Sequence, residues 1–181
     1  MSNQGLGFSE PSVKKLINLS DMYPVIEEVL SAGGNISLTI TGSSMYPTIL
    51  GGRDQVTLVK APEKLNKYDL PLYRRKSGQF VLHRIVAVEE DGTYTCCGDH
   101  QWDVEKGLKQ EQMIGLATEF VRKGKHFSAD NRRYVRWVHF WVWFLRGRKF
   151  WFAIDSRVRK ILSFMRGVFR HFFKKKTTAK K

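Results

Sequence analysis

Cysteine is scarce in this sequence, which has only the adjacent pair Cys96 and Cys97. Neighbouring cysteines seldom form a disulfide with each other, and no third or fourth cysteine is present to complete a set of zinc ligands. The sequence therefore excludes a disulfide-stabilised scaffold. We expect a reducing compartment, with no metal and no cofactor.

Long apolar segments are also absent. A membrane-spanning helix needs about 18 or more consecutive apolar residues, and no such run occurs anywhere in the chain. Residues 1–16 contain no apolar segment of the length that a secretory signal requires. We therefore expect neither a signal peptide nor a transmembrane span.

Acidic residues are nearly absent from the last third of the chain. Residues 121–181 hold 19 lysines and arginines against Asp130 and Asp155, a net charge of +17, whereas residues 1–120 hold 12 basic and 15 acidic residues. Such an asymmetry is typical of a basic arm that binds an anionic surface. The composition thus predicts two different parts, with a boundary near Val121.

The remaining composition is that of a folded protein. With 181 residues and a hydrophobic fraction of 42%, the chain can bury one core of ordinary size. Disordered chains have too few hydrophobic residues to offset the entropy cost of folding, so this sequence does not belong to the disordered class.

The hydrophobic pattern predicts one helix followed by short strands. Asp21 and Pro24 begin an apolar-periodic segment that Gly33 and Gly34 end. Residues 36–41 then alternate apolar and polar side chains, as a half-buried strand does. Short strands at this spacing favour a small antiparallel β-barrel or sandwich. The further strand candidates are 55–60, 70–74, 79–88, 94–97 and 113–122.

Helical periodicity returns in the basic part. Trp137, Phe140, Trp141 and Phe144 recur at helical spacing, and the pattern leaves open whether they pack on the barrel or contact a membrane. A second segment, from Ser156 to Phe173, combines an apolar stripe with a basic polar face, and three lysines follow it. A helix of this kind favours an anionic membrane surface as the partner over nucleic acid.

One turn has the residues that serine chemistry needs. A serine hydroxyl becomes nucleophilic when a neighbouring base removes its proton, and N–H groups must receive the charge of the resulting oxyanion. Ser44 follows Gly42 and Ser43 directly after a predicted strand. Glycine permits a tight turn there, and the N–H groups of the turn, which are not paired in a strand, can donate to an oxyanion. Taken alone, such a turn is most often only a turn.

The order of the segments after Ser44 is more specific. The string G-S-S-M-Y-P-T-I at 42–49 precedes D-Q-V at 54–56, D-L at 69–70, L-H-R-I-V at 82–86, G-D at 98–99 and I-G at 114–115. This series resembles the signal-peptidase and LexA-type clan of serine peptidases. Its L-H-R-I-V string is similar to the endoplasmic-reticulum, archaeal and sporulation-type signal peptidases, which use serine and histidine. The whole series looks most like the small signal-peptidase-like proteins of Gram-positive anaerobes.

The resemblance implies a fold and an activity. The fold is mainly β: a catalytic β-barrel or sandwich at 35–122 of the signal-peptidase/LexA type, after a helical lead-in at 1–34 and before a basic amphipathic helical arm at 123–181. The activity is that of a bacterial serine endopeptidase, with Ser44 as nucleophile and His83 as base, that cleaves signal or leader peptides after small residues. We expect such a protein to bind peptide substrates and to sit peripherally on the cytoplasmic face of a membrane.

The third member of the triad stays open between two carboxylates. In the relatives that use serine and histidine, the acid follows the late Gly-Asp pair by a few residues. Counting without a gap selects Glu105, which we favour, and a small deletion would select Asp103. Asp99, in the pair itself, and Pro47 are expected to support the site.

Three departures from the clan motivate an alternative function. Gly42 stands where signal peptidases carry a serine that donates to the oxyanion, so Ser43 or the N–H groups of Ser43 and Ser44 would take that role. Arg53 interrupts the first Gly-Asp pair, and Tyr68 replaces the glycine of the second. The alternative is a catalytically inactive protein of the same fold that acts as an adaptor on a membrane or on nucleic acid.

Overall fold

The structure is mainly β, with one helix on either side of the strands. The computed structural model describes residues 19–145 and 147–148. The elements in chain order are α1 (Leu19–Ser31), β1 (Ile36–Thr39), β2 (Gln55–Lys60), β3 (Pro71–Arg74), β4 (Phe80–Leu82), β5 (Arg84–Val88), β6 (Tyr94–Cys97), β7 (Glu105–Leu108), a short 3₁₀ helix (Gln110–Gln112), β8 (Met113–Arg122), β9 (Lys125–Ser128) and α2 (Arg132–Trp143).

The strands form two antiparallel sheets that curl into a half-barrel. The first sheet has the order β1-β2-β8-β3-β4, with β9 also paired to β8, and the second has the order β5-β6-β7. The long strand β8 is the centre of the first sheet. Its Ala117 and Phe120 pack with Val56 and Leu58 of β2, and Met45 of the Ser44 turn enters the same core. The expected mainly β class is thus confirmed, with the expected leading helix present as α1.

The chain passes from the first sheet to the second at a single residue, His83. Leu82 pairs with Leu72 in the first sheet, and Arg84 pairs with Cys97 in the second. The sequence pattern predicts one continuous strand over 79–88, whereas the structure has β4 and β5 separated by His83, because the pairing partner changes there. His83 itself is buried, with 5% of its surface exposed.

The sequence pattern predicts neither β7 nor β9. Both strands are short, and their sequences, E-K-G-L and K-H-F-S, lack the run of β-branched or aromatic residues that identifies a strand. β9 is joined to β8 by a two-residue turn, in which Lys123 and Gly124 both have positive φ, as a tight hairpin requires. The expected domain boundary at 122/123 therefore falls inside a hairpin of the first sheet.

α2 packs against the second sheet. The Asn131 side chain accepts hydrogen bonds from the N–H groups of residues 133 and 134 and so caps the helix. Val138 and Val142 pack on Val86 and Cys97 of β5 and β6. The predicted helix at 156–173 and the lysines that follow it lie outside the described residues. Within the described part, no helix has the length and hydropathy needed to cross a membrane.

A buried ion pair joins the second sheet to the Ser44 turn and to α2. Arg84 donates two hydrogen bonds to Asp99, of 3.0 and 2.8 Å, and each side chain is 1% exposed. Thr48 donates to the same carboxylate, Trp141 Nε1 donates to the Asp99 carbonyl at 2.9 Å, and Arg84 also donates to the Tyr134 hydroxyl at 3.1 Å. Burial alone would lower the pKa of Arg84, but Asp99 and Tyr134 raise it, so the guanidinium stays charged.

We expect Asp99→Ala to destabilise the protein by about 3–5 kcal/mol, because it leaves the Arg84 guanidinium buried without a counter-charge. The free energy of urea unfolding at pH 7 measures this loss. Asp130→Ala, which removes an exposed aspartate, is the matched control and should change the free energy by less than about 0.5 kcal/mol. A loss below about 1 kcal/mol in Asp99→Ala would contradict a structural role for the pair.

Candidate active site

The turn that carries Ser44 is clamped at its base. The Gly52 N–H donates to the Ile40 carbonyl at 2.7 Å, and the Ile40 N–H donates to the Asp54 carbonyl at 3.2 Å. Gly51 packs so closely on Gly42 that a Cβ at position 51 would lie 2.1 Å from the Gly42 oxygen, and Gly42 has a φ of 84°. Both glycines are therefore required by this turn.

The top of the turn is held by the segment that follows β6. The His100 N–H donates to the Ser44 carbonyl at 2.7 Å. A Cβ at Gly98 would lie 2.7 Å from the same carbonyl oxygen, so only glycine permits this approach. Thr48 is anchored on Asp99, and Pro47 lies half-buried just before it in the turn. The Gly-Asp pair thus has two roles: glycine makes room for Ser44, and aspartate holds Thr48.

Ser44 itself has unused hydrogen-bonding groups. Its side chain is partly exposed, and within the described part of the chain its hydroxyl makes no hydrogen bond. The N–H groups of Ser43 and Ser44 also have no acceptor there. They are free to donate to an oxyanion that forms on a carbonyl bound beside Ser44.

His83 is connected to Glu105 through a tyrosine. Tyr73 lies opposite Val81 in the β3–β4 pair, and residues 81 and 83 point to the same side, so Tyr73 faces His83. The Tyr73 hydroxyl donates to Glu105 Oε2 at 2.9 Å and lies 3.4 Å from His83 Nδ1. Because the single hydroxyl proton goes to the carboxylate, Nδ1 must be the donor in the longer contact. This arrangement leaves Nε2 with the lone pair that a base needs.

Arg75 fixes the far end of this chain of contacts. Its guanidinium donates three hydrogen bonds to Glu105, of 2.6 to 3.0 Å, from the strand end beside Tyr73. Burial alone would raise the pKa of the Glu105 carboxyl, but the hydrogen bonds from Arg75 and Tyr73 outweigh it and lower the pKa. Glu105 is therefore ionised at neutral pH and accepts all of these hydrogen bonds.

His83 is neutral at pH 7. Its burial and the positive charge of Arg75 lower its pKa to about 4, and the charges of Glu105 and Asp99 offset only part of that shift. A neutral imidazole can accept a proton, whereas an imidazolium cannot.

The predicted site residues do not all meet. His83, Glu105 and Asp103 line one open cleft of about 660 Å³, together with His100 and Gln101 of the segment that holds Ser44. Of the two candidate acids, Glu105 is connected to His83 through Tyr73, whereas the Asp103 side chain is exposed and has no hydrogen bond among the described residues. In the same part of the chain, the hydrogen bond of His83 goes to Tyr73 and none joins it to the Ser44 hydroxyl.

Sequence reasoning missed Tyr73 and Arg75 as members of the site. A signal for them exists in the β3–β4 hairpin, since Gly78 with a φ of 88° marks its turn and the register then places Tyr73 beside His83. Strand prediction without pairing cannot supply that register.

His83 makes the stability of the protein depend on pH. Its pKa is about 4 in the folded protein and about 6.5 in an unfolded chain, so between these values only the unfolded state binds the proton. The contribution of His83 to the free energy of unfolding is therefore fully present above about pH 6.5 and is lost as the pH is lowered towards 4. We expect the free energy of unfolding to fall less between pH 7 and pH 5 in His83→Gln than in the wild type, as measured by urea unfolding at the two pH values.

His126, which is exposed on β9, provides the matched control for this measurement. His126→Gln should keep the wild-type dependence on pH. If His83→Gln also kept it, burial of a neutral His83 would be contradicted.

Neither a protein-family model, nor a curated protein, nor a solved structure matches this chain.

Proposed function

We propose that this protein is a serine endopeptidase with a signal-peptidase-like fold, in which Ser44 is the nucleophile and His83 the general base. The observation that carries the proposal is the state of His83: it is neutral, its Nδ1 faces the Tyr73–Glu105 pair, and its neighbour Arg84 is tied to the Ser44 turn through Asp99. A base needs this combination of a fixed tautomer and a fixed position.

In the proposed reaction, His83 Nε2 accepts the Ser44 hydroxyl proton while Oγ bonds to the peptide carbonyl carbon. The N–H groups of Ser43 and Ser44 donate to the oxyanion. The C–N bond then breaks, and the leaving amine takes the proton from His83. In the second half-reaction, His83 takes a proton from water while the water oxygen bonds to the carbonyl carbon of the ester. The ester C–O bond then breaks, and Ser44 Oγ takes the proton from His83. Glu105, acting through Tyr73, stabilises the imidazolium that forms in each half-reaction.

The substrate and the location follow from the resemblance and from the charge. Signal or leader peptides with small residues before the cleaved bond are the proposed substrates. The net charge of +17 over residues 121–181 supports a peripheral position on an anionic membrane surface, at its cytoplasmic face.

We expect Ser44→Ala to abolish cleavage of leader-type peptides and labelling by a serine-reactive phosphonate, because it removes the nucleophile. The expected loss in kcat/KM is at least about a thousandfold. Ser43→Ala keeps the backbone N–H groups and is the matched control, so it should retain most of the labelling. Labelling of Ser44→Ala at the wild-type rate would rule Ser44 out as the nucleophile.

We expect Tyr73→Phe to lower kcat/KM by about 10- to 100-fold, because a hydrogen bond to a charged group contributes about 1.5–3 kcal/mol and each 1.36 kcal/mol is tenfold in rate. Glu105→Gln should lower kcat/KM at least as far and lower the pKa of His83 further, since it removes a negative charge. The pH dependence of kcat/KM reports that pKa for the free protein.

Two variants control for loss of packing and for the alternative acid. Tyr94→Phe changes a buried tyrosine whose hydroxyl bonds Gln110 and the Leu65 N–H, away from His83, and should keep the wild-type pH profile. Asp103→Asn removes the exposed carboxylate of the same cleft. If Asp103→Asn lowered the rate and Glu105→Gln did not, Asp103 would be the acid.

Two observations favour the alternative, an inactive adaptor of the same fold. The Ser44 hydroxyl and His83 share no hydrogen bond within the described residues, and Gly42 offers no hydroxyl to an oxyanion. An adaptor would bind a leader-type peptide equally well as wild type and as Ser44→Ala, with no cleavage and no labelling of either.

A further inference from the structure

α2 has an outer face of unusual composition. Residues 132, 136, 140 and 143 are spaced so that one side of the helix carries them all, and every one is exposed. Arg132 and Arg136 occupy its first half. Phe140 and Trp143 occupy its second half, with 55% and 79% of their surfaces exposed. The helix contains no acidic residue.

The inner face of the same helix is occupied. Val138, Trp141 and Val142 are buried. Trp137 stacks on Trp141, with ring centroids 5.3 Å apart, and packs at the edge of the core between α2 and the second sheet. The aromatic residues of α2 therefore divide into two sets, and packing among the described residues explains only the inner one.

We propose that this outer face of α2 is a membrane-contact surface that inserts Phe140 and Trp143 at the interface of an anionic bilayer. An aromatic pair is placed beside arginines on one exposed face, which is the pattern of helices that lie in the headgroup region. Tryptophan is favoured there because its ring is apolar and its N–H is polar.

Charge complementarity selects the anionic bilayer as the partner. The helix belongs to a part of the chain with 19 basic and two acidic residues, which would repel a second copy of itself. Phe140 and Trp143 are tilted by 35° with centroids 6.2 Å apart, so they cover each other's edges and present one apolar patch. An apolar patch of this kind fits acyl chains better than phosphates of nucleic acid.

The surface is rigidly connected to the candidate active site. On the inner face, Trp141 Nε1 donates to the Asp99 carbonyl, and Asp99 holds Thr48 of the Ser44 turn. Docking of α2 would therefore set the height and orientation of Ser44 above the bilayer. This inference deepens the membrane location in the proposed function and is independent of whether Ser44 is catalytic.

We expect the full chain with Phe140→Ala and Trp143→Ala to bind vesicles of phosphatidylcholine with 30 mol% phosphatidylserine, a composition chosen for anionic charge, at least about tenfold more weakly than wild type. Sedimentation with the vesicles measures the partitioning. Arg132→Gln with Arg136→Gln should weaken it about fivefold for each charge removed, and less so at high salt.

Matched controls use similar residues elsewhere on the surface. Trp102→Ala removes another exposed tryptophan, and Lys64→Gln with Lys76→Gln removes two exposed charges, so both should bind as wild type does. Far-UV circular dichroism and the rate of phosphonate labelling in solution show whether each variant is folded and whether Ser44 reacts. A wild-type protein that binds the vesicles but is not labelled would count against the catalytic proposal alone.

Three outcomes would overturn the membrane surface. One is wild-type partitioning of the Phe140→Ala, Trp143→Ala variant. Another is equal binding of the wild type to pure phosphatidylcholine vesicles. The third is a change in oligomeric state or in DNA binding in that variant with vesicle binding unchanged, which would assign the face to a second copy or to nucleic acid.

Discussion

The buried pair of Arg84 and Asp99 is the constraint on which the rest of the structure depends. Two charges without exposure to water are tolerated only when each is fully hydrogen-bonded, and that need brings four segments to one point. Asp99 takes hydrogen bonds from Arg84 and Thr48 with its carboxylate and from Trp141 with its carbonyl. The change of sheets at His83 follows, because Arg84, the first residue of β5, must point inward to reach Asp99. The segment that carries His83 and the turn that carries Ser44 are thereby held by one interaction rather than by separate ones.

The pKa of His83 in the candidate site follows from the positions of the groups beside it. Arg75 lies at the open end, Glu105 next to it, and Tyr73 carries the hydrogen bond inward to His83. A carboxylate in direct contact with the imidazole would raise its pKa strongly, whereas a carboxylate that is neutralised by arginine and separated by a hydroxyl raises it little. Burial therefore prevails, and His83 is neutral. The tyrosine also provides a fixed acceptor, which a water in the open cleft would not.

Sequence reasoning located most of the strands but not the contacts between them. The strands at 55–60, 94–97 and 113–122 were predictable to the residue because each is a short segment rich in apolar, aromatic or β-branched residues between turn signals. β7 and β9 were not, because their residues have no such pattern and are ordered by pairing with neighbours. The same reason explains the site: His83 and Glu105 are visible as motif residues, but Tyr73 joins the two only through the β3–β4 register, and a register is a property of two strands.

The buried pair of Arg84 and Asp99 also connects stability to any function of the site. Gly98 cannot carry a side chain without displacing the Ser44 carbonyl, and Asp99 cannot be removed without exposing the charge of Arg84 to an apolar interior. Substitutions there would act on folding and on the position of Ser44 together. Arg75 and Glu105 differ, because they line the open cleft and the buried pair does not need them, whereas Tyr73 is buried in the core. Substitution of Arg75 or Glu105 can therefore change the protonation of His83 at a smaller cost to the fold than substitution of Asp99, because both charges act on the His83 pKa from the edge of the open cleft.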